Sequence, residues 1–225
     1  MKTALILQAR VDSSRLPGKA LLPLEDEPLV FRVMEALLRV PADLHILACP
    51  EDAKEAFALP AKRAGFLLFT GPKDDVLARY AAAVRFFELV LPYARIIRAT
   101  GDNPFVFADA AWRINEEAAA LDADYSAYSG LPYGAGVESV AVKALLRADN
   151  EAHEHYEREH VCPYLYTKAG FKLHRPLAPK EWQADYSVTV DTKDEYERAI
   201  KFYNLLPKTE ERYLGATINK HLCPN

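Results

Sequence analysis

The residues best suited to chemistry lie in a short loop near the start of the chain. This opening loop, residues 8–19, reads Gln-Ala-Arg-Val-Asp-Ser-Ser-Arg-Leu-Pro-Gly-Lys and follows an apolar run from Ala4 to Leu7. It carries three cations and two hydroxyls: Arg10, Arg15, Lys19, Ser13 and Ser14. Guanidinium and ammonium groups bind the oxygens of phosphates and carboxylates. The composition of the loop therefore predicts a site for an anion with several oxygens, of which a triphosphate is the obvious candidate.

Two aspartates follow predicted strands in the same manner. Asp102 comes after Ile96–Ala99, and Asp191 comes after Ser187–Val190. Carboxylates at strand ends can converge on one cleft at the edge of an α/β sheet. Mg²⁺ prefers one or two carboxylates together with water and phosphate oxygens. The pattern is therefore consistent with a magnesium site, with an Asx turn or helix cap as the alternative for Asp102 and a helix N-cap as the alternative for Asp191.

The elements that must position these residues alternate between strands and helices in the first half of the chain. The predicted strands are Thr3–Gln8, Leu44–Ala48, Phe66–Phe69 and Ile96–Ala99. The predicted helices lie near Leu29–Arg39, Asp52–Arg63, Val76–Val90 and Ala108–Ala120. This alternation indicates βαβ units and a mostly parallel sheet. Pro60 should end or kink the second helix, because proline removes a backbone hydrogen bond.

The pattern changes after Asp122, where short strands and loops with glycine and proline dominate. The predicted strands are Asp124–Tyr128, Ser139–Val142, Phe171–His174 and Ser187–Val190, and the predicted helices are His153–Lys168 and Glu195–Leu205. No composition shift marks a linker. We therefore predict a single α/β domain over residues 1–225, with a small inserted α+β subdomain at about 125–180.

The bulk composition excludes several function classes. The formal net charge of −4 at pH 7 gives no general affinity for nucleic acid. No apolar run approaches the roughly 20 residues needed to span a membrane. The three cysteines, Cys49, Cys162 and Cys223, are far apart and lack metal-ligand spacing, which favours a reduced cytoplasmic compartment. The chain also lacks the glycine-rich P-loop pattern of many kinases and ATPases.

The opening loop closely resembles the signature of the cytidylyltransferases that activate sugar acids, such as CMP-ketodeoxyoctonate and CMP-acylneuraminate synthetases. The branch of spore-coat polysaccharide biosynthesis proteins is the nearest match. The resemblance continues, in the order of the family, at Asp74–Tyr80, Thr100–Pro104, Glu157–Tyr164 and Thr189–Thr192. One such block would be a modest signal, whereas five in order are a strong one.

The resemblance implies a nucleotidyltransferase-like fold, of the GT-A or Rossmann-like kind, and transfer of CMP from CTP to a sugar acid or related acceptor with release of pyrophosphate. It implies a role in cell-surface polysaccharide biosynthesis and a Mg²⁺ cofactor held by Asp102 and Asp191. The implied catalytic residues are Arg10, Arg15, Lys19 and Asp102. The implied nucleotide-binding residues are Gln8, Ala9, Arg10, Ser13, Ser14, Arg15, Gly18, Lys19, Asp75 and Arg79. Gly18 is expected to let the backbone approach the phosphates closely, and Asp75 and Arg79 could equally form an i,i+4 ion pair.

The acceptor side is predicted from the same resemblance. Glu138, Glu157, Arg158 and His160 are expected to line the acceptor pocket or the wall of a homodimer. The charged residues from Glu157 to His160 could equally form a salt-bridge network. The segment from Tyr125 to Pro179 resembles the region that forms the dimer contact of the family.

Two other functions stay open. A glycosyltransferase that uses a nucleotide sugar shares this architecture, but it typically carries a short acidic pair after a central strand and has no need of the Arg-Leu-Pro-Gly-Lys loop. A non-catalytic nucleotide- or sugar-binding descendant would show the loss of a phosphate-binding or metal-binding residue. None of those positions is lost here, so the sequence favours the cytidylyltransferase.

Overall fold

A seven-stranded sheet lies at the centre of the fold in the computed structural model, which describes residues 2–222. The strands are β1 (Thr3–Gln8), β2 (Pro23–Leu24), β3 (Glu27–Pro28), β4 (Leu44–Pro50), β5 (Leu67–Gly71), β6 (Arg95–Thr100), β7 (Tyr125–Ser126), β8 (Glu138–Ala141) and β9 (Leu173–His174). The α-helices are α1 (Leu29–Leu37), α2 (Lys54–Ala64), α3 (Val76–Glu88), α4 (Ala108–Ala120), α5 (Val142–Glu151), α6 (His155–His160), α7 (Pro163–Thr167), α8 (Lys193–Leu205) and α9 (Gly215–Leu222).

The strand order of the sheet is β5-β4-β1-β6-β8-β7-β9. The first four strands are parallel, β8 is antiparallel to both of its neighbours, and β9 is parallel to β7. Six strands therefore run in one direction, which confirms the predicted α/β class with a mostly parallel sheet. The inserted subdomain predicted at about 125–180 is not confirmed, because β7, β8 and β9 of that segment extend the main sheet.

Both faces of the sheet are covered, as the apolar strands predict. Along β1, Leu5 and Leu7 face one buried cluster, which includes residues of α1, α2, α4, α8 and α9. Ala4 and Ile6 face the other cluster, with residues of α3, α5 and α7. Because successive side chains of a strand point to opposite faces, this central strand joins the two cores.

The helices and strands differ from the sequence prediction in three respects. Pro60 lies inside α2, so of the two predicted effects, an end or a kink, the end is wrong; Phe57, Ala61 and Ala64 on one face of that helix are buried in the core and hold it together. The predicted helix His153–Lys168 is divided into α6 and α7 at Val161, whose φ is 73°. Helix α5, the β2–β3 hairpin and α9 have no counterpart in the sequence prediction.

The predicted strand Ser187–Val190 is an extended segment outside the sheet. A single bridge joins Ser187 to Tyr133, and Val190 N donates to Asp102 O at 3.0 Å. Its backbone thus bonds to loops at the sheet edge and not to a neighbouring strand. Within residues 2–222, no helix is long and apolar enough to cross a membrane. Cys49 and Cys162 are buried free thiols, and Cys223 lies outside the described residues.

Candidate active site

A cleft of about 720 Å³ lies at the carboxyl ends of β1 and β6. It falls within the usual range of ligand-binding pockets, and open α/β sheets bind their ligands at this edge. Most of the predicted site residues line it: Gln8, Ala9, Arg10, Ser13, Ser14, Arg15, Lys19, Asp102, Glu138, His160 and Asp191.

The opening loop is closed by a backbone hydrogen bond from Gly18 N to Val11 O, 3.0 Å long. Gly18 has a φ of +69° and precedes a short 3₁₀ helix that begins at Lys19. A Cβ atom at Gly18 would have nothing within 4 Å. Glycine is therefore favoured here for its left-handed backbone, and the close approach of this backbone to the phosphates stays a prediction. The turn directs Lys19 into the cleft.

Lys19 joins the two aspartates that the sequence singles out. Its Nζ lies 2.9 Å from Asp102 Oδ2 and 2.6 Å from Asp191 Oδ1. Arg15 Nη2 lies 3.1 Å from Asp191 Oδ2. The Lys19 side chain is only 9% exposed. Two carboxylates that are 89 positions apart in the chain therefore meet around one cation, together with a second cation of the opening loop.

Neighbouring backbone contacts fix these strand ends. Gly101 N donates to Gln8 O at 2.8 Å and so ties the end of β6 to the end of β1. Val190 N donates to the carbonyl oxygen of Asp102. The loops that carry the two aspartates are thus bonded to each other and to the start of the opening loop.

Asp191 is not the N-cap of α8, the alternative that the sequence left open. Thr192 is the N-cap, in a capping box with Glu195, and Glu195 Oε2 also accepts from Asp191 N at 2.8 Å. Burial by itself would raise the pKa of the Asp191 carboxyl. The hydrogen bond and charge of Lys19 and the charge of Arg15 outweigh burial and hold that pKa below its usual value. Asp191 is therefore held as an anion that faces the cleft.

The donor set suits a divalent cation that is shared with a phosphate ligand. Within residues 2–222, no cluster of three or more His, Cys, Asp or Glu side chains could hold a metal ion. Two carboxylates nevertheless surround one positive charge. Mg²⁺ is usually bound by one or two carboxylates and completed by water and substrate phosphates, so Asp102 and Asp191 fit such an ion.

Asp75 and Arg79 lie away from the lining of the cleft and do not pair with each other. Asp75 caps α3 by accepting from Ala78 N at 2.9 Å and contacts Arg158 Nε at 2.7 Å. Arg79 is fully buried, and its Nη1 donates to Pro72 O at 2.5 Å. Both side chains thus hold the turn before α3, and any effect on a nucleotide would pass through that turn.

The predicted acceptor residues are divided between the cleft and the interior. Glu138 contacts Arg98 and accepts from Tyr125 Oη at 2.8 Å on the cleft floor, and His160 packs against the Tyr156 ring, 4.4 Å between centroids. The other two residues do not line the cleft. Glu157 is buried, with Lys168 Nζ 3.4 Å away. Arg158 contacts Asp75 and Asp149, as the salt-bridge alternative predicts.

Several residues of the lining were missed by the sequence analysis. They are two cations and several aromatic side chains: Arg98, Arg175, Tyr125, Tyr128, Tyr133, Tyr156 and Tyr166. One signal for them is the abundance of tyrosine in the segment 125–180. An arginine inside the apolar strand β6 was a further signal, because a buried charge needs a partner.

Comparison with known proteins agrees with this geometry. The sequence profile of the family described as "Cytidylyltransferase" matches residues 4–217. A spore coat polysaccharide biosynthesis protein, SpsF of Bacillus subtilis, is 33% identical over 210 residues, covering 88% of this chain and 85% of that protein.

Two solved structures show the same fold. A cytidylyltransferase from Leptospira borgpetersenii superposes with a TM-score of 0.83 at 24% identity, covering 96% of this chain and 91% of that one. A CMP:2-keto-3-deoxy-manno-octonic acid synthetase complexed with CTP superposes with a TM-score of 0.70 at 15% identity, covering 91% of this chain and 99% of that one. Because the profile spans nearly the whole chain and the Bacillus relative is similar over most of it, this protein belongs to the cytidylyltransferase family of nucleotidyltransferase enzymes.

Proposed function

We propose that this enzyme transfers CMP from CTP to a hydroxyl of a sugar acid or a related small acceptor, with release of pyrophosphate, in cell-surface polysaccharide biosynthesis. The observation that carries the proposal is the meeting of Arg15 and Lys19 with Asp102 and Asp191 at the sheet edge. Cations for a triphosphate and carboxylates for a divalent cation are the two requirements of nucleotidyl transfer. The CTP complex of a protein with the same fold supports the choice of nucleotide.

The opening loop is assigned to the nucleotide. Arg10, Arg15 and Lys19 would bind the β- and γ-phosphates, and the hydroxyls of Ser13 and Ser14 would donate to further oxygens. Gln8 and Ala9 border the cleft at the end of β1 and are assigned to the cytosine side. Arg15 and Lys19 contact the aspartates in this structure, so binding of the triphosphate would exchange those contacts for contacts with phosphate.

The reaction needs positioning and neutralisation of charge more than it needs a covalent step. The acceptor oxygen attacks the α-phosphorus and forms a new P–O bond, while the bond between the α-phosphorus and the bridging oxygen to the β-phosphate breaks. Pyrophosphate leaves with that oxygen, held by the cations of the opening loop, and the acceptor proton passes to solvent. A divalent cation bound by Asp102 and Asp191, which we take to be Mg²⁺, would offset the negative charge of the triphosphate.

Glu138 and His160 are assigned to the acceptor side of the cleft, because both line it and neither belongs to the opening loop or to the pair of aspartates. Glu157 and Arg158 would support that wall from behind. A homodimer and a cytoplasmic location remain predictions from the sequence.

Thermal unfolding with Mg²⁺ and each of the four ribonucleoside triphosphates tests the nucleotide assignment. A ligand at about 100 times its Kd stabilises the folded state by roughly 2.7 kcal/mol, which is several degrees in Tm for a chain of this size. We expect CTP to raise Tm the most in wild type. Arg15→Gln should reduce the rise, whereas Asp194→Asn, a change at an exposed residue of α8, should not. An equal rise with all four nucleotides, or a rise with another nucleotide alone, would contradict the choice of CTP.

A further inference from the structure

A cation at the far wall of the cleft has no assigned role in the proposed function. Arg175 directly follows β9, and its guanidinium carbon lies 5.4 Å from the centroid of the Tyr166 ring. Both side chains line the cleft. A guanidinium that lies over an aromatic ring is held in place by the ring while its N–H groups can still bind an oxyanion.

The sheet places Arg175 on the same edge as the proposed active site. Strands β6, β7 and β9 run in the same direction, since β8 is antiparallel to both β6 and β7 and β9 is parallel to β7. Three strand positions separate β9 from β6, which is roughly 14 Å at the usual strand spacing. β1, which leads into the opening loop, lies one strand further away. Arg175 therefore faces the end of the cleft that is remote from the triphosphate loop.

Most other charged side chains of the cleft lining have partners, and Arg10 of the opening loop is assigned to the triphosphate. Two cations of the opening loop contact the aspartates, and Arg98 contacts Glu138. Glu159 Oε2 lies 3.8 Å from the His155 ring. In the part of the chain that the structure describes, residues 2–222, no carboxylate lies within 4 Å of the Arg175 guanidinium. An accessible cation without an ion pair, in the wall of a polar cleft, is suited to an anionic ligand.

We propose that Arg175 binds the anionic group of the acceptor, a carboxylate or a phosphate, and thereby selects acidic sugars over neutral ones. The inference rests on the proposed function, because it takes the other end of the cleft to be occupied by the nucleotide. Arg175 is a specificity-determining residue in this account and takes no part in the transfer of CMP itself.

The test is calorimetric titration of sugars onto the full chain, saturated with Mg²⁺ and the non-transferable analogue α,β-methylene-CTP. The probes are 3-deoxy-manno-octulosonate, N-acetylneuraminate, mannose 6-phosphate and the neutral N-acetylmannosamine. We expect wild type to bind a carboxylate or phosphate probe more tightly than the neutral sugar. Tighter binding of the carboxylate sugars or of the sugar phosphate shows which of the two oxyanions Arg175 binds. Arg175→Gln should weaken that binding about 10- to 100-fold, the range for a hydrogen bond to a charged group. Arg175→Lys should weaken it less, and neither change should affect the neutral sugar.

Arg147→Gln is the matched control. Arg147 also lies over an aromatic ring, 4.5 Å from the centroid of Phe171, but it contacts Glu151 and lies outside the cleft lining. The inference is overturned if Arg175→Gln binds the anionic probes as wild type does, or if wild type binds none of them more tightly than the neutral sugar. The affinity for the CTP analogue is measured in every variant. If wild type does not bind the CTP analogue, the proposed function itself is contradicted. If every variant binds the analogue and Arg175→Gln has no effect on the anionic sugars, only the role of Arg175 is contradicted.

Discussion

Lys19 is a nearly buried ammonium whose charge is balanced by two carboxylates, Asp102 and Asp191. A buried charge with no partner is costly, because its hydration is lost without compensation. Either aspartate alone leaves Lys19 with one partner, so the fold should tolerate the loss of one but not of both. Activity, in contrast to the fold, should not tolerate the loss of either aspartate, since both carboxylates are assigned to the same divalent cation.

This difference gives a prediction for stability and turnover together. Asp102→Asn and Asp191→Asn should each lower kcat by at least 10²- to 10³-fold, the scale of removing one group that stabilises transition-state charge, while each retains most of the free energy of unfolding. The free energy of unfolding of the double variant should fall by about 3 kcal/mol more than the sum of the two single losses. Adding Lys19→Met to the double variant should restore much of that free energy, because it removes the unpaired charge. Urea unfolding and steady-state kinetics check this, with Asp194→Asn as the control. If the loss of stability in the double variant equals the sum of the two single losses, the claim that both aspartates balance the charge of Lys19 is contradicted.

At the scale of elements, the ends of strands and helices bring the site together. The loop before β8 packs against the segment that leads to Asp191: a Cβ atom built on Gly134 would lie 2.6 Å from Thr189 Cγ2 and 3.0 Å from Asn103 Oδ1. Gly134 also has a φ of +96°. A side chain at this one position would therefore collide with neighbours of both aspartates.

Gly134→Ala should consequently destabilise the protein more than Gly18→Ala does. At Gly18 the backbone is left-handed but the space for a Cβ atom is open, so its cost should be about 1–2 kcal/mol of backbone strain. At Gly134 a steric clash adds about 1–3 kcal/mol and should displace the segment 189–191, which lowers turnover as well. Denaturant unfolding of the two variants measures the difference. Equal losses would show that the contact with Thr189 relaxes at no cost.

Glu117 of α4 ties this helix to β9 and predicts a pH effect on stability. It accepts from Tyr128 Oη at 2.8 Å and from Arg113 Nε at 3.0 Å, and it lies 3.0 Å from His174 Nε2. Burial by itself would raise the pKa of Glu117. The three partners outweigh burial and hold that pKa below its usual value. A lowered carboxyl pKa stabilises the folded state above the unfolded pKa of about 4.3, and that stabilisation is lost as the pH falls through the folded pKa.

Wild type should therefore be more stable than Glu117→Gln at pH 6, and the difference should shrink as the pH is lowered towards 3. Urea unfolding at several pH values measures it, with Glu116→Gln, at an exposed residue of the same helix, as the control. A difference that does not change between pH 6 and pH 3 would contradict the assigned contacts.

The same elements show what could be predicted from the sequence. Strand β1, α4 and the placement of the opening loop and Asp102 at strand ends follow from hydrophobic periodicity and motif order. Thr192-x-x-Glu195 is also a readable capping signal. The interpretation of Asp75 and Arg79 as an i,i+4 pair is wrong, because Asp75 turns to the helix N-terminus and Arg158 while Arg79 turns to carbonyl oxygens. Such choices depend on tertiary neighbours, which local spacing does not specify.

At the scale of the whole molecule, the sheet sets the order of the ligands along the cleft. The opening loop follows β1, Asp102 follows β6 and Arg175 follows β9, so the nucleotide, the reacting groups and the acceptor would lie in that order across the sheet edge. The strand predicted at Phe171–His174 is confirmed by β9, but its place beside β7 at the sheet edge could not be predicted, because a two-residue strand carries almost no pattern that selects its neighbour. The tyrosines and Arg175 of the far wall were missed for the same reason.

The central claim is that this cleft performs cytidylyl transfer. The most direct measurement is incubation of the wild-type protein with Mg²⁺, CTP and a panel of sugar acids, with quantification of both pyrophosphate and the CMP conjugate. We predict equal amounts of the two products with at least one acid, strong preference for CTP over ATP, GTP and UTP, and loss of both products in Asp102→Asn but not in Asp194→Asn. Pyrophosphate without a conjugate, or full activity in Asp102→Asn, would contradict the account.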